Sequence, residues 1–251
     1  MSMKVLVVTV AGMSSRFSKS VGRECLKCIY YENRVEESLL YQILRKKEFD
    51  KYVVVGGFQY TQLQTFVQEH CRDLLPKIQL VYNEHYEDYG SGFSLYLGLE
   101  ALGDVSYDEV VFAEGDLVLD TESFCAVADA GTDVLTYNNE PIWADKAVVY
   151  YFDSDYKVHY LYDVNHQNLQ IPEPFVGVFN SGQVWKFTQP SKLKGVLSRL
   201  DEEEKKGTNL VIIQHYFDGV EREQYRILGF KEWINCNTIE DFKRVNEEKR
   251  Q

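Results

Sequence analysis

Four short apolar runs in the first half of the chain constrain its fold more than any other feature. They are rich in valine, and at four to seven residues they have the length of buried strands rather than helices. Amphipathic helical patterns lie between them. Strands and helices alternate in this way when right-handed crossovers build a parallel sheet with helices on both faces. The predicted strands are Lys4–Val10, Tyr52–Val55, Gln79–Tyr82 and Glu109–Ala113, and the predicted helices are Glu36–Lys47, Tyr60–Arg72 and Phe93–Leu102.

Beyond Asp116 the pattern changes to short extended runs separated by turn residues, such as Asp153-Ser-Asp155. We expect this part to be mixed or antiparallel. It would adjoin the mostly parallel central sheet of a Rossmann-like three-layer α/β sandwich. The extended runs are Val134–Tyr137, Ala147–Phe152, Val158–Asp163, Phe175–Phe179, Tyr225–Leu228 and Lys231–Asn235.

Three further helices are predicted from their caps and amphipathic patterns. They are Ser191–Lys206, ended by Gly207; a helix capped by Asn209 that runs through Tyr216; and a last helix capped by Thr238, with Asp241 three residues on. The sequence contains no repeat, low-complexity tract or linker. We therefore treat residues 1–251 as a single domain, with halves of about 1–120 and 121–251.

Charge and cysteine usage narrow the class of protein. A net charge of −12 argues against nucleic-acid binding, because phosphate backbones attract basic surfaces. It permits a nucleotide ligand, since a divalent cation can supply positive charge locally. No apolar run reaches the roughly 18 residues of a membrane span, and the first residues do not resemble a signal peptide. With five cysteines, an odd number, we expect free thiols and a cytoplasmic location.

The pair Cys25 and Cys28 forms a C-x-x-C motif. A zinc site usually needs a second pair, and the other three cysteines are isolated in sequence. We therefore favour two small, soft residues near the start of the fold over a metal or redox motif.

Residues suited to ligand binding follow each of the four N-terminal strands. They are Ala11–Arg16, Gly56–Gln59, Asn83 and Glu114–Asp116. In an open α/β sheet, ligands bind beyond the carboxyl ends of the strands, where the loops converge. Glycines after strands are common, so each segment alone carries little weight. Their coincidence at four strand ends predicts one site.

The segment from Gly12 to Arg16 suits a phosphate cradle. Small residues let backbone N–H groups approach an anion, and Arg16 adds a permanently charged donor. Lys27 follows eleven residues later and is placed to fold back over the same phosphates. The segment matches neither a Walker A loop nor a dinucleotide fingerprint, and a plain strand–helix turn is the alternative.

Asp116 directly follows a hydrophobic strand, as metal-binding carboxylates often do. Mg²⁺ commonly takes one or two protein oxygens and fills its other positions with phosphate and water. Asn235 and Asn237, after the last extended run, are candidates for a second oxygen ligand.

These segments resemble the sugar-phosphate and alcohol-phosphate nucleotidyltransferases, especially the choline-phosphate cytidylyltransferase-like branch. The resemblance covers nearly the whole chain. The matching segments are A-G-M-S-S-R at 11–16, L-K at 26–27, N-E-H-Y-E-D-Y-G-S-G-F-S-L-Y at 83–96, G-D at 115–116 and N-T-I-E-D-F at 237–242. The segment at 83–96 is the most specific of them.

The resemblance implies transfer of a nucleoside monophosphate, CMP from CTP, to a small phosphorylated or phosphonate acceptor such as phosphocholine, with release of pyrophosphate. Such products are precursors of cell-surface polysaccharide or phospholipid. Arg16, Lys27 and Asp116 would be the catalytic residues, and Asp116 and Asn237 would bind Mg²⁺. The implied nucleotide-binding residues are Ala11, Gly12, Met13, Ser14, Ser15, Gly57, Gln59, Asn83, Gly90, Ser91 and Ser94.

Three positions depart from the family pattern. Leu26 replaces a proline, Ser14 a glycine and Asn237 an aspartate. The last of these removes one negative charge from the expected metal site.

The acceptor is expected to bind in the second half of the chain. Aromatic faces together with carboxylates suit a cationic head group, and a lysine would meet the acceptor's phosphate. The candidates are Trp143, Lys146, Tyr162, Asp163 and Glu173. Packing and surface roles are the alternative for the same residues.

Two other functions fit a nucleotide-binding α/β sheet. A GT-A-like glycosyltransferase would use Asp116 and Asp120 as its acidic motif, but it needs no grip on a triphosphate from Arg16 and Lys27. A catalytically weak nucleotide-binding sensor would bind CTP without turnover.

Overall fold

The computed structural model describes residues 3–103, 105–144, 147–161 and 169–248. Its strands are β1 Lys4–Val10, β2 Lys51–Gly56, β3 Ile78–Tyr82, β4 Glu109–Glu114, β5 Leu117–Leu119, β6 Asp133–Asn138, β7 Val149–Asp153, β8 Val158–Tyr160, β9 Phe175–Phe187, β10 Tyr225–Gly229 and β11 Trp233–Asn235. Its α-helices are α1 Ser15–Val21, α2 Leu39–Leu44, α3 Tyr60–His70, α4 Ser91–Glu100, α5 Thr121–Asp129, α6 Pro190–Leu197, α7 Glu202–Lys206, α8 Asn209–Phe217 and α9 Ile239–Glu248.

The main sheet confirms the predicted α/β class. Its strand order is β10-β6-β9-β4-β1-β2-β3, and β1 pairs in parallel with both β2 and β4. In the second half, β9 runs antiparallel to β4, β6 and β7, whereas β10 and β6 are parallel. The mixed arrangement expected there is therefore present. β5 and β11 form a separate two-stranded antiparallel sheet.

Alternation along β1 shows why the sheet is covered on both faces. Val5 and Val7 are buried in one hydrophobic cluster, and Leu6 and Val8 in another. Side chains alternate between the two faces of a strand, so an apolar run without polar breaks requires a layer on each side. Within the described ranges, no helix is long and apolar enough to cross a membrane.

Some predicted elements have different bounds. The run predicted at Phe175–Phe179 continues to Phe187, and the predicted helix Ser191–Lys206 is two helices, α6 and α7. The break comes where Asp201 accepts hydrogen bonds from the backbone of Glu203 and Glu204, which starts a new helix. α1, α5 and β5 were not predicted. The last residues of the predicted strand Val158–Asp163 lie outside the described ranges.

The caps predicted for the last two helices differ in outcome. Thr238 and Asp241 exchange hydrogen bonds as predicted for the start of α9. Asn209 is the first residue of α8 and not its cap, which is Thr208.

Asp120 links the start of α5 to the residues that precede β11. Its carboxylate accepts the backbone N–H of Ser123 at 2.7 Å, which caps α5. The same side chain accepts from Lys231 at 3.1 Å and Glu232 at 3.2 Å, just before β11. Burial opposes ionisation, but these backbone donors outweigh it and lower the pKa of Asp120. One carboxylate thus holds a helix start and the approach to β11 together.

We expect Asp120→Ala to lower the free energy of unfolding by about 1–2 kcal/mol, because it removes a cap and an acceptor of the Glu232 N–H, whereas the Lys231 N–H keeps the Ser123 hydroxyl. The folded pKa lies below the ordinary value of 3.8, so the contribution is present above that pH and is lost as the pH falls through the folded pKa. Urea denaturation of both proteins across pH would measure it.

Asp201→Ala is the matched control, because it removes an exposed aspartate cap that has no partners beyond its own helix. It should cost less than Asp120→Ala. Equal losses, or a loss at Asp120 that does not shrink in acid, would contradict this account.

Candidate active site

The segments after three of the four N-terminal strands, β1, β3 and β4, converge on a cavity of about 250 Å³, whereas the loop after β2 contributes no residue to its lining. Residues from loops far apart in sequence share its lining because the parallel strands end at one edge of the sheet. The predicted site residues in the lining are Ala11, Gly12, Ser14, Lys27, Asn83, Gly90, Ser91, Ser94 and Asp116.

The remaining predicted residues of the first loop lie beside this cavity. Met13, Ser15 and Arg16 line an adjoining cavity of about 230 Å³, together with Lys27 and Asn237.

The loop after β2 packs tightly against the first loop. The N–H of Phe58 donates to the carbonyl of Ala11 at 3.1 Å. A Cβ at Gly57 would lie 2.3 Å from Cβ of Tyr86 and 2.9 Å from the Ala11 oxygen, so only glycine fits there. Gln59 has φ 51° and begins α3. Gly57 and Gln59 are therefore absent from the cavity lining, and Gly57 holds two of its walls together.

Ser14 shows how the departure from glycine is accommodated. Its φ of 52° is left-handed, a conformation that favours glycine. Its hydroxyl accepts the backbone N–H of Lys27 at 3.2 Å. The hydroxyl therefore ties the lysine segment to the first loop.

Asn83 and Ser94 meet below the cavity. Both are buried, and the Asn83 amide donates to the Ser94 hydroxyl at 2.9 Å. The Asn83 oxygen accepts the N–H of His85 at 2.8 Å. In the middle of this segment, the N–H of Gly90 donates to the carbonyl of Lys206 at 2.8 Å. The segment most specific to the resemblance is thus fixed at its start, in its middle and near its end.

Four predicted residues form a polar cluster where the cavities meet. Lys27 Nζ lies 2.8 Å from Asp116 Oδ2 and 3.1 Å from Asn237 Oδ1. Arg16 Nη2 donates to the same Asn237 oxygen at 3.0 Å. The side chains of Lys27 and Asp116 are 17% and 22% exposed, so water screens their attraction only in part. Two cations and one carboxylate therefore meet beside the 250 Å³ cavity.

One atom of this cluster suits a metal ion. Asp116 Oδ1 is buried, and no described residue donates to it. A carboxylate oxygen in that state is destabilised unless a donor or cation reaches it. In the described part of the chain, no three His, Cys, Asp or Glu side chains come together, so a cation here would need phosphate and water as further ligands. Asp116 fits Mg²⁺ on these grounds, and Asn237, whose oxygen faces Lys27 and Arg16, stays a predicted second ligand.

Two residues of the site were missed. Glu114 lines the 250 Å³ cavity and accepts hydrogen bonds from Asn209 at 2.7 Å and Gln183 at 2.9 Å. Burial and then the adjacent Asp116 carboxylate raise the pKa of Glu114 to about 7. A second acid in A-E-G-D was a visible signal for Glu114. No local pattern marks Gln183, which only the pairing of β9 with β4 brings here.

The acceptor candidates are divided by the structure. Trp143 is 56% exposed and lines a cavity of about 290 Å³. Arg16, Glu140, Trp233 and Asn237 share that lining.

Glu173 is absent from the lining of the 290 Å³ cavity and accepts a hydrogen bond from Tyr151 at 2.7 Å. Lys146, Tyr162 and Asp163 lie outside the described residues.

All five cysteines are free thiols. Cys28 is buried beside the 250 Å³ cavity, and burial raises the pKa of its thiol. The thiolate form is therefore disfavoured, in keeping with a packing role.

Solved structures share this fold along almost the full length of the chain. The inositol-1-phosphate CTP transferase from T. maritima matches with a TM-score of 0.67 at 16% identity, covering 98% of this chain and 95% of that one. The CTP:phosphocholine cytidylyltransferase from Streptococcus pneumoniae matches with a TM-score of 0.63 at 18% identity, and 98% of each chain is covered. A putative glucose-1-phosphate thymidylyltransferase from Bacillus anthracis matches with a TM-score of 0.67 at 13% identity, covering 99% of this chain and 96% of that one.

All three of these structures are named as nucleotidyltransferases, and at such identities the likeness shows a common fold. Comparison with curated proteins gives no significant match. A family model described as a domain of unknown function, DUF6564, matches residues 23–249. The chain therefore belongs to the DUF6564 family and has the Rossmann-like fold of nucleotidyltransferases.

Proposed function

We propose that this protein is a nucleotidyltransferase that moves a nucleoside monophosphate from a triphosphate to a small phosphorylated acceptor. The observation that carries the proposal is the cluster of Arg16, Lys27, Asp116 and Asn237. It lies where a cavity suited to a nucleotide adjoins a second one, of about 290 Å³, lined by Arg16 and two tryptophans.

The strand-end cavity of about 250 Å³ is assigned to the nucleotide. Its wall is backbone at Ala11 and Gly12 and aromatic at Tyr86 and Tyr89. Backbone N–H groups suit phosphate oxygens, and aromatic edges suit a base or ribose. Two of the three solved relatives are named for CTP, which supports CTP as the donor.

The second cavity is assigned to the acceptor. Trp143 and Trp233 line it together with Glu140, and Arg16 and Arg244 lie in the same lining. Aromatic faces beside a carboxylate suit a cationic head group, and Arg244 suits its phosphate. We propose phosphocholine or a related amino-alcohol phosphate or phosphonate as the acceptor. The product would be a precursor of cell-surface polysaccharide or phospholipid made in the cytoplasm.

The chemistry requires position and charge more than a protein nucleophile. An oxygen of the acceptor phosphate attacks the α-phosphorus, a new P–O bond forms, and the bond to the leaving pyrophosphate breaks. The attacking oxygen is already anionic, so no general base is needed. Lys27 meets charge that develops on the α-phosphate, and Arg16 holds the outer phosphates.

Mg²⁺ would be held by Asp116 and Asn237, and when bound it would neutralise phosphate charge. Asp116 already pairs with Lys27, so this carboxylate also holds the ammonium group in place.

We expect Lys27→Ala and Asp116→Asn each to lower kcat by about 10²–10³-fold, because the first removes a cation that meets phosphate charge and the second removes the charge that would hold Mg²⁺ and that pairs with Lys27. The measurement is pyrophosphate release from CTP, UTP, ATP and GTP against a panel of phosphorylated acceptors, with and without Mg²⁺.

Lys47→Ala is the matched control, because it breaks a lysine–carboxylate pair, with Asp129, that lies away from the site. It should change kcat by less than about twofold. The proposed reaction is wrong if both site variants keep wild-type turnover, or if wild type binds nucleotide but releases no pyrophosphate with any acceptor.

Gly57→Ala should lower stability by about 1–3 kcal/mol and raise the KM for the nucleotide, because the added methyl pushes Tyr86 away from Ala11. Thermal unfolding and steady-state kinetics measure the two effects.

Gly195→Ala adds the same atom within α6, where nothing lies within 4 Å. It should be neutral or stabilising by up to about 1 kcal/mol. If Gly57→Ala behaves like Gly195→Ala, the close packing of the two loops does not shape the cavity.

A further inference from the structure

A line of side chains connects Glu114 to the catalytic cluster. Gln183 Nε2 donates to Glu114 Oε2 at 2.9 Å, and Asn235 Nδ2 donates to Gln183 Oε1 at 3.4 Å, the longest link. Asn237 Nδ2 then donates to Asn235 Oδ1 at 2.8 Å. Lys27 donates to Asn237 Oδ1 at 3.1 Å. Glu114, Gln183, Asn235 and Asn237 are called the amide relay below.

The carboxylate at one end and the two cations at the other require the same direction for every bond in the relay. An amide presents either oxygen or nitrogen, whereas an ionised carboxylate only accepts. Gln183 must therefore turn its nitrogen to Glu114, which leaves its oxygen for Asn235. By the same logic Asn235 turns its oxygen to Asn237, whose own oxygen is left facing Lys27 and Arg16.

Asparagine at position 237 makes this control necessary. An aspartate there would offer an oxygen in either orientation. A flipped asparagine would instead place an NH₂ group against two cations, Lys27 and Arg16. The same flip would remove a protein oxygen from the metal position proposed beside Asp116.

Gln183 is held in a strained conformation that aims it into the relay. It has φ 54° although it lies within strand β9, and it is 5% exposed. The pairing of β9 with β6 shifts register between Leu135 and Tyr137, which face this stretch. Bulges re-aim side chains, and left-handed residues other than glycine persist where the surroundings enforce them.

Glu114 is a fixed anchor. One of its oxygens accepts from Gln183 and the other from Asn209, so both are occupied. Glu114 lines the nucleotide cavity, whereas Gln183, Asn235 and Asn237 line the acceptor cavity. The relay thus forms part of the partition between the two cavities.

We propose that Glu114, Gln183 and Asn235 are positioning residues that keep the Asn237 carbonyl oxygen directed at Lys27 and Arg16. They act through Asn237 and need not touch either substrate. The kinetic test rests on the proposed function, and a second measurement does not.

The test compares the effect of Gln183→Met on kcat in two backgrounds, wild type and Asn237→Asp. With Asn237 present, loss of the relay should lower kcat by about tenfold or more, with little change in the KM for CTP. With Asp at position 237, which needs no orientation, the same change should cost less than about threefold. If Gln183→Met lowers kcat by the same factor in both backgrounds, the proposal is wrong.

Gln214→Met is the matched control. Gln214 is also a buried glutamine with hydrogen bonds at both ends, to Tyr160 N at 2.7 Å and Val158 O at 3.0 Å, but it lies outside both cavities. It should lower the unfolding temperature without changing kcat. Asn235→Ala, which cuts the relay at a half-buried residue, should reproduce the kinetic effect of Gln183→Met even if the latter folds poorly.

The second measurement is the side-chain amide signal of Asn237 in ¹H–¹⁵N spectra, identified by its absence from Asn237→Asp. Gln183→Met and Asn235→Ala should shift it and speed its exchange with water, whereas Gln214→Met should not. An unmoved signal would refute the relay. If wild type shows no transfer with any substrate, the proposed function fails and this spectrum still decides the relay.

Discussion

The site depends on the ion pair of Lys27 and Asp116, whose charged atoms lie 2.8 Å apart and are mostly shielded from water. Bringing them together needs the segment after α1, which carries Lys27, and the end of β4, which pairs in parallel with β1. Asn237 completes the cluster from a third segment. That segment is tied in because Cys236 N–H donates to the Asp116 carbonyl at 2.9 Å and β11 pairs with β5. The two-stranded sheet therefore positions the Asn237 amide at the end of the main sheet.

Strain is concentrated around this cluster. Four residues other than glycine have positive φ in the described part of the chain, and three of them, Ser14, Gln59 and Gln183, border the site. Each has a specific contact or position there: Ser14 accepts from Lys27, Gln59 begins α3 beside Gly57, and Gln183 bonds to Glu114. Such conformations persist where the surrounding fold over-determines them. The sheet and its helices supply that rigidity.

The cluster also shows how a neutral residue can occupy a position where the resembling family has an acid. Asn237 carries no charge of its own, yet its oxygen accepts from both Lys27 and Arg16. A carboxylate would hold them by attraction in any orientation, whereas an amide must be turned the right way. The need for orientation explains why polar side chains, and not an apolar core, fill the space behind it.

The sequence by itself determined the α/β class, the four N-terminal strands to within a residue or so, and the convergence of Arg16, Lys27, Asp116 and Asn237. Those inferences rest on local patterns: apolar runs of strand length, and polar residues directly after them. Only the tertiary structure placed Gln183, Asn209 and Glu114 in contact, and only it separated Trp143 from Glu173. Their positions depend on pairing between strands far apart in sequence, on a register shift, and on which face of a helix meets the sheet. None of these features produces a periodic pattern or a motif in the sequence.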